Sequence, residues 1–447
     1  MLALGASFTA QSQTLDDLRK DQATTDKVLT YGMGYANQRY SGLTKINKGN
    51  LGKLVPVWNY SLNNPQGQES QPIVLDGVMY VTTHTSTVAI DALSGRQIWK
   101  QELEFASDVF KMACCGLLNR GAAILNGKVF RTTLDAHVIA YEAKTGKQLW
   151  KSKAADYKLG HAMTAAPLVA NGVLMTGIAG GEYGTRGFID GWDPETGKQL
   201  WHFFTTAASG EKGGDTWPGD TAQKGGAPTW LTGAYDPELD LVYWGTGNGG
   251  PWNAEARKGD NLYIDSVLAF RPKTGELVWH YQFSPNDPFD YDATEVGMLL
   301  DLKIDGVKRK VLAQANRNGF FYVVDRANGK LCPRIVSLSR TENVLEQLEA
   351  NRFDAALVAL DRLDAWRLAH PDTALRRTPY LHPLRINIGF VARSDAPEVL
   401  AAANRVIERS LVSGELQRWA AESGTTWIAP AAPQVSAAFA LADLLRE

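Results

Sequence analysis

Apolar and polar residues alternate over much of the first three quarters of the chain, in runs such as QPIVLDGVMYVTT (71–83) and GKVFRTTLDAHVIAY (127–141). Short runs of period two, bounded by glycine turns, predict β-strands. One turn recurs. A strand ends in a small or apolar residue, Ser-Gly or Thr-Gly follows, and Trp stands four residues after the Gly. It occurs as AIDALSGRQIW (Gly95, Trp99), AYEAKTGKQLW (Gly146, Trp150), GWDPETGKQLW (Gly197, Trp201) and AFRPKTGELVW (Gly275, Trp279), and VVDRANGK adds a fifth turn at Gly329. Strand units repeating at about 50 residues predict a β-propeller, whose four-stranded blades bury their faces only against neighbours. A β-sandwich has alternating strands too, but no reason to repeat the same Trp.

The pattern then stops. Pro333 stands where the next Trp is expected, and of the 42 glycines only Gly389, Gly414 and Gly424 follow. The period becomes helical in SDAPEVLAAANRVIERSL (394–411). Asp395 is placed to cap this helix, Pro397 falls in its first turn, and Glu398 completes a capping box. Val399, Leu400, Ala403, Val406, Ile407 and Leu411 form one apolar stripe. The expected organisation is an N-terminal segment (1–25), an all-β partial propeller (26–332), and a smaller unrelated α/β segment (333–447), with the boundary inside a blade.

Composition narrows the function classes. At 44% hydrophobic and 21% charged residues the chain is globular. A net charge of −2 provides no basic field for nucleic acid or an anionic membrane. No run of 18 apolar residues exists, so no transmembrane segment is expected. MLALGASFTAQSQ reads as the remnant of an export signal, and equally as a frayed tail; it lacks Lys and Arg before Arg19. Of the three cysteines, Cys114 and Cys115 are neighbours, which is neither a disulfide framework nor a metal spacing.

Five motifs carry a resemblance: ACCGLLNRG, GIAGGEYGTRG, GGAPTWLTGAYDPELDLVYWGTGN, PNDPFDYD and ANRNGFFYVVDR. In this order and at these separations they resemble the methanol/ethanol dehydrogenases that use pyrroloquinoline quinone (PQQ), over about 300 residues. The resemblance implies an eight-bladed propeller with the quinone in its site. It implies that Cys114 and Cys115 join in a disulfide covering one face of PQQ, although their Cα atoms, about 3.8 Å apart, lie closer than in most disulfides. Trp230, outside the repeat, matches the residue that stacks on the other face. PQQ carries three carboxylates and needs cationic and hydrogen-bonding partners. Arg120, Thr164, Glu69 and the backbone of Gly180 and Gly181 match the family's contacts, whereas Ala179 replaces a common Ser or Thr, which removes one hydrogen bond.

The same resemblance implies a metal. Glu182, Asn248 and Asp290 form a carboxylate–amide–carboxylate set suited to a hard cation. Asp292 adds a further carboxylate at a place the family associates with lanthanide instead of calcium, and a trivalent ion does demand more negative oxygen. In the implied mechanism the metal acts as Lewis acid on the quinone, with Arg317 assisting. Asp290 is the general base on a small primary alcohol. Hydride passes to PQQ, an aldehyde leaves, and a cytochrome c later takes the electrons in the periplasm.

The tail is similar to the closing part of a periplasmic solute-binding protein, through LEANRFDAALVALDRLDAW (348–366), INIGFVARSD (386–395) and LVSGELQRWAAESG (411–424). Asp354 and Arg393 are its candidate ligand contacts, surface charge being the bland alternative. Four to five blades of eight leave the expected ring open. Exposed strand edges favour aggregation, and water in the site weakens its electrostatics. The expectation is therefore aggregation, or turnover at least ~100-fold below that of a complete relative. The alternative function is an inactive or merely cofactor-binding propeller joined to a solute-binding segment.

Overall fold

A computed structural model of the chain describes residues 13–304 and 306–332, together with 345–346, 349, 360–376, 405–406 and 408–424. The chain divides into two compact units, Met1–Ser337 and Leu338–Glu447.

In the first unit, five antiparallel sheets succeed one another along residues 73–102, 123–153, 168–204, 234–282 and 298–325. Four have four strands and the fifth has three, and within each sheet the strands neighbour one another in chain order. The repeat is legible strand by strand. The third strands (Ser86–Asp91, His137–Glu142, Phe188–Trp192, Ser266–Phe270) are almost wholly buried, while the fourth strands, which carry the repeat Trp, are mostly exposed or half-buried. In all four complete sheets the register shifts once between strands three and four, just before the Gly turn.

Each repeat Trp has a defined partner: the glycine turn of the next sheet. The indole N–H of Trp99 donates to the Ala143 carbonyl (2.8 Å), Trp150 to Pro194 (3.3 Å), Trp201 to Pro272 (2.8 Å) and Trp279 to Arg326 (3.2 Å). Each acceptor lies three residues before the repeat glycine. A Cβ on Gly146, Gly197, Gly275 or Gly329 would sit 2.5–2.6 Å from the same indole, and each of these glycines has φ between 69° and 75°. The Gly is therefore required twice, by its left-handed backbone and by the ring lying against it. Trp58 does the same on Gly95, donating to Ala92 at 3.1 Å. Its segment carries no Gly four residues earlier, so the sequence repeat does not reveal it.

Gly197→Ala is expected to lower stability by about 2–4 kcal/mol, combining a left-handed alanine with overpacking against Trp150. Chemical denaturation checks this, with the exposed and unhindered Gly210→Ala as the control for backbone strain without the ring contact.

Among the described residues of the second unit, helices span Leu360–Ala369 and Glu415–Glu422. Asp395, Pro397, Glu398, Asp354 and Arg393 lie outside the described residues, as does the N-terminal MLALGASFTAQS. Val406 and Leu411, the stripe members that are described, are 47% and 36% exposed. No described helix is long and apolar enough to cross a membrane.

Candidate cofactor and metal site

Sheet topology explains how residues scattered over 250 positions meet. Strands alternate in direction, so the hairpin joining strands two and three lies at the same end as the link to the next sheet. The Trp-bearing glycine turns lie at the opposite end. Cys114, Cys115 and Arg120 occupy the link 103–122, Thr164 the link 154–167, Trp230 the link 205–233, and Asp290 and Asp292 the link 283–297. Gly180, Gly181 and Glu182 lie in the hairpin 178–187, Asn248 in 246–265, and Arg317 in 316–320. All therefore emerge at one end.

There, every site residue read from the sequence except Glu69, Gly181 and Asn248 lines one cavity of about 270 Å³. Ala179 lines it with its methyl group, and Leu118, which the sequence reading missed, adds an apolar wall. Of the three exceptions, Glu69 is exposed and pairs with Arg120 (Oε2–Nε 3.0 Å), Gly181 is buried, and Asn248 is fully buried. A Cβ on Gly181 would fall 2.8 Å from Pro228 and 3.2 Å from Asn248 Oδ1, so only glycine lets this hairpin approach the amide.

On one side of the cavity the sulfurs of Cys114 and Cys115 are joined, with Cα atoms 3.8 Å apart. Both sulfurs and a Glu182 carboxylate oxygen lie within 4.8 Å of one another. Arg120 donates from Nη1 to Thr164 Oγ1 (2.8 Å) and to the Trp230 carbonyl (3.3 Å), and its guanidinium carbon lies 4.7 Å from the centroid of the Trp230 ring. Burial lowers the Arg120 pKa, with Glu69 opposing; the group remains a cation.

Three acids face the same cavity. Asp292, 6% exposed, accepts from the Asn248 backbone N–H (2.7 Å), Arg317 Nη1 (3.1 Å) and Trp230 Nε1 (3.2 Å). Burial first, and then repulsion from Asp290 and Glu182, push its carboxyl up to about 6. Asp290 has φ 61° and lies 3.9 Å from Arg317 Nη2. Burial raises its carboxyl, with Arg317 opposing and Asp287 adding to the rise. Glu182 is open to the cavity, yet the protein packed around it raises its carboxyl, and Asp290 adds repulsion. Asn248 Oδ1 is buried without a hydrogen-bond partner. Mutually repelling carboxylates beside an orphaned amide oxygen form an oxygen-rich set that a hard cation would satisfy. Two guanidinium groups, a hydroxyl and an indole suit a flat polyanion. The residues present thus fit both PQQ and a metal.

Residues 29–337 match the PQQ family described as "Glucose/ethanol/alcohol dehydrogenase, beta-propeller domain". The chain belongs to this family. Among relatives, the quinohemoprotein alcohol dehydrogenase ADH IIB of Pseudomonas putida is 43% identical over 74% of this chain and 50% of its own length. The quinoprotein alcohol dehydrogenase PedH of Pseudomonas putida is 41% identical over 74% of this chain and 58% of its own. Among solved structures, a europium-containing methanol dehydrogenase superposes with a TM-score of 0.68 at 38% identity, covering 71% of this chain and 59% of the other. The chain thus spans about half of the length of the curated relatives it matches.

Proposed function

We propose that this PQQ-family chain oxidises small primary alcohols to aldehydes at the cavity between the Cys114–Cys115 pair, Trp230 and the acids. The observation that carries this is the meeting, in one cavity, of two arginines with three carboxylates and, behind them, an orphaned amide oxygen. Bound PQQ supplies the acceptor for the hydride of the carbinol carbon. Arg120, braced by Glu69 and Thr164, and the backbone of Gly180 and Gly181 hold its anionic groups. Trp230 and the vicinal disulfide enclose its faces. Glu182, Asn248, Asp290 and Asp292 would hold the metal, calcium or lanthanide, and the fourth oxygen-bearing group would favour the trivalent ion. Asp290, at the cavity wall, accepts the alcohol proton. Arg317 balances Asp290 and Asp292 and assists polarisation of the quinone oxygen.

A cytochrome c is the proposed electron acceptor and the periplasm the proposed location. The segment 333–447 is proposed to derive from a solute-binding protein. A dye-linked assay with PQQ and calcium or lanthanum tests the reaction through aldehyde formed per dye reduced. A ratio near one supports it. Tight PQQ binding without turnover would reduce the chain to a cofactor-binding module.

An oxidising location has its own test. A persistent disulfide needs an oxidising compartment, so protein exported and purified without reductant should show a two-hydrogen mass deficit in the peptide holding Cys114 and Cys115. Complete alkylation of both thiols in that protein would count against location and disulfide together.

A further inference from the structure

Two loops bring oxygen ligands to the site, and one side chain behind them touches both. Arg257, in the hairpin 246–265, is fully buried. Its guanidinium donates from Nε to the Pro251 carbonyl (2.8 Å), from Nη1 to Asn261 Oδ1 (2.7 Å), and from Nη2 to the Asp287 carbonyl. Pro251 closes the turn that begins at Asn248, while Asp287 opens the turn that carries Asp290. The flat face of the guanidinium lies against Gly249, where a Cβ would stand 2.6 Å from Cζ. Asn286 Nδ2 completes the junction, donating to the Arg257 carbonyl (3.0 Å) and to Asn261 Oδ1 (2.8 Å).

Asp287 extends the grip. It is 2% exposed, and its carboxylate accepts the backbone N–H of Phe289 (3.1 Å) and of Tyr291 (2.8 Å), on either side of Asp290. Asp290 is thereby held at φ 61°, a backbone conformation that costs a non-glycine residue energy and persists only where the surroundings fix it.

We infer that Arg257 and Asp287 are positioning residues: a buried guanidinium brace that fixes the Asn248 and Asp290 loops relative to one another before any cation binds. Only Arg offers this. Its planar fork addresses three acceptors in fixed directions, which a lysine ammonium cannot match. Asp265 is fully buried nearby, and both of its oxygens lack hydrogen-bond partners. The brace would spare the metal the work of assembling its own ligand set, a contribution that outer-shell groups commonly make.

The inference rests on the proposed metal site, so its test has one arm independent of metal. Hydrogen exchange is followed on the metal-free full chain in peptides covering 247–251 and 286–292. Arg257→Met should speed exchange in both peptides together while the strands of the first three sheets keep their protection. Gly249→Ala, which leaves Arg257 in place but pushes its guanidinium away, should do the same. Asp287→Asn should loosen 286–292 only. Lanthanum affinity, by calorimetry, should then fall ~10–100-fold in each variant. Unchanged exchange in both peptides for Gly249→Ala and Asp287→Asn, or a uniform rise throughout the protein, overturns the brace. If exchange responds as stated but the unsubstituted chain binds no lanthanum, the brace stands and the metal reading fails.

Discussion

Replacing Asp290 by Asn is expected to slow alcohol oxidation by ~10²–10⁴-fold, the range for loss of a positioned general base. Asn keeps the shape and one neutral oxygen for a cation, but cannot accept the hydroxyl proton. Because the base acts as the O–H bond breaks, kcat and kcat/KM should fall together, with little change in substrate affinity. The geometry supports this assignment over Asp292. The Asp290 side chain is 36% exposed at the cavity wall, whereas the Asp292 side chain is 8% exposed and already accepts from the Asn248 N–H, Arg317 and Trp230. Single-turnover reduction of the bound quinone, followed by its absorbance, isolates the chemical step from electron transfer to the dye. A rate within about threefold of the unsubstituted chain would remove Asp290 from the role of base, since even weak general-base catalysis contributes far more.

The second large effect concerns the choice of metal. Asp292→Asn should weaken lanthanum binding by more than ~100-fold, beyond what outer-shell changes cause, and calcium binding by no more than ~10-fold. A trivalent ion gains more from each negative oxygen, whereas calcium accepts neutral carbonyl oxygens readily. Asn is the more informative replacement because its oxygen can still accept from the Asn248 N–H, although its amide nitrogen, in the place of Oδ2, no longer accepts from Trp230 Nε1 or Arg317 Nη1. Asp292→Ala would in addition leave that N–H without its acceptor and mix ligand loss with disruption of the loop. Calorimetric titration of both ions into the two proteins gives the comparison. Equal weakening of both would show that Asp292 acts on general electrostatics and does not select the ion.

The fold was legible because its repeat is written in residues with a stringent structural duty. A glycine held at positive φ against an indole tolerates no other residue, so Gly-to-Trp spacing marks each blade in the sequence. Trp58 escaped because it serves the same purpose without the turn before it. The residues lining the cavity were legible through motifs, but their number, charge and spacing could not have brought them together. The alternation of strand direction does that, by collecting links and hairpins at one end. Arg257 and Asp287 were not read as functional, although Asp287 lies inside PNDPFDYD. Their work is done on backbone atoms, and a side chain that holds a carbonyl or an N–H leaves no pattern of chemistry in the sequence. An Asp two residues before a loop position is a known turn former, and that was the available signal. In the tail, the two described members of the stripe, Val406 and Leu411, are exposed.

The central claim is that this cavity holds PQQ through the chain's own cations and a metal, and equilibrium dialysis of PQQ against the purified full chain tests it most directly. With lanthanum present, the account predicts saturation at one PQQ per chain, strong dependence on the metal, and loss of most of the affinity in Arg120→Ala, whose guanidinium links Glu69, Thr164 and Trp230. Binding that never saturates, or that saturates equally well without metal and with Arg120→Ala, would contradict it.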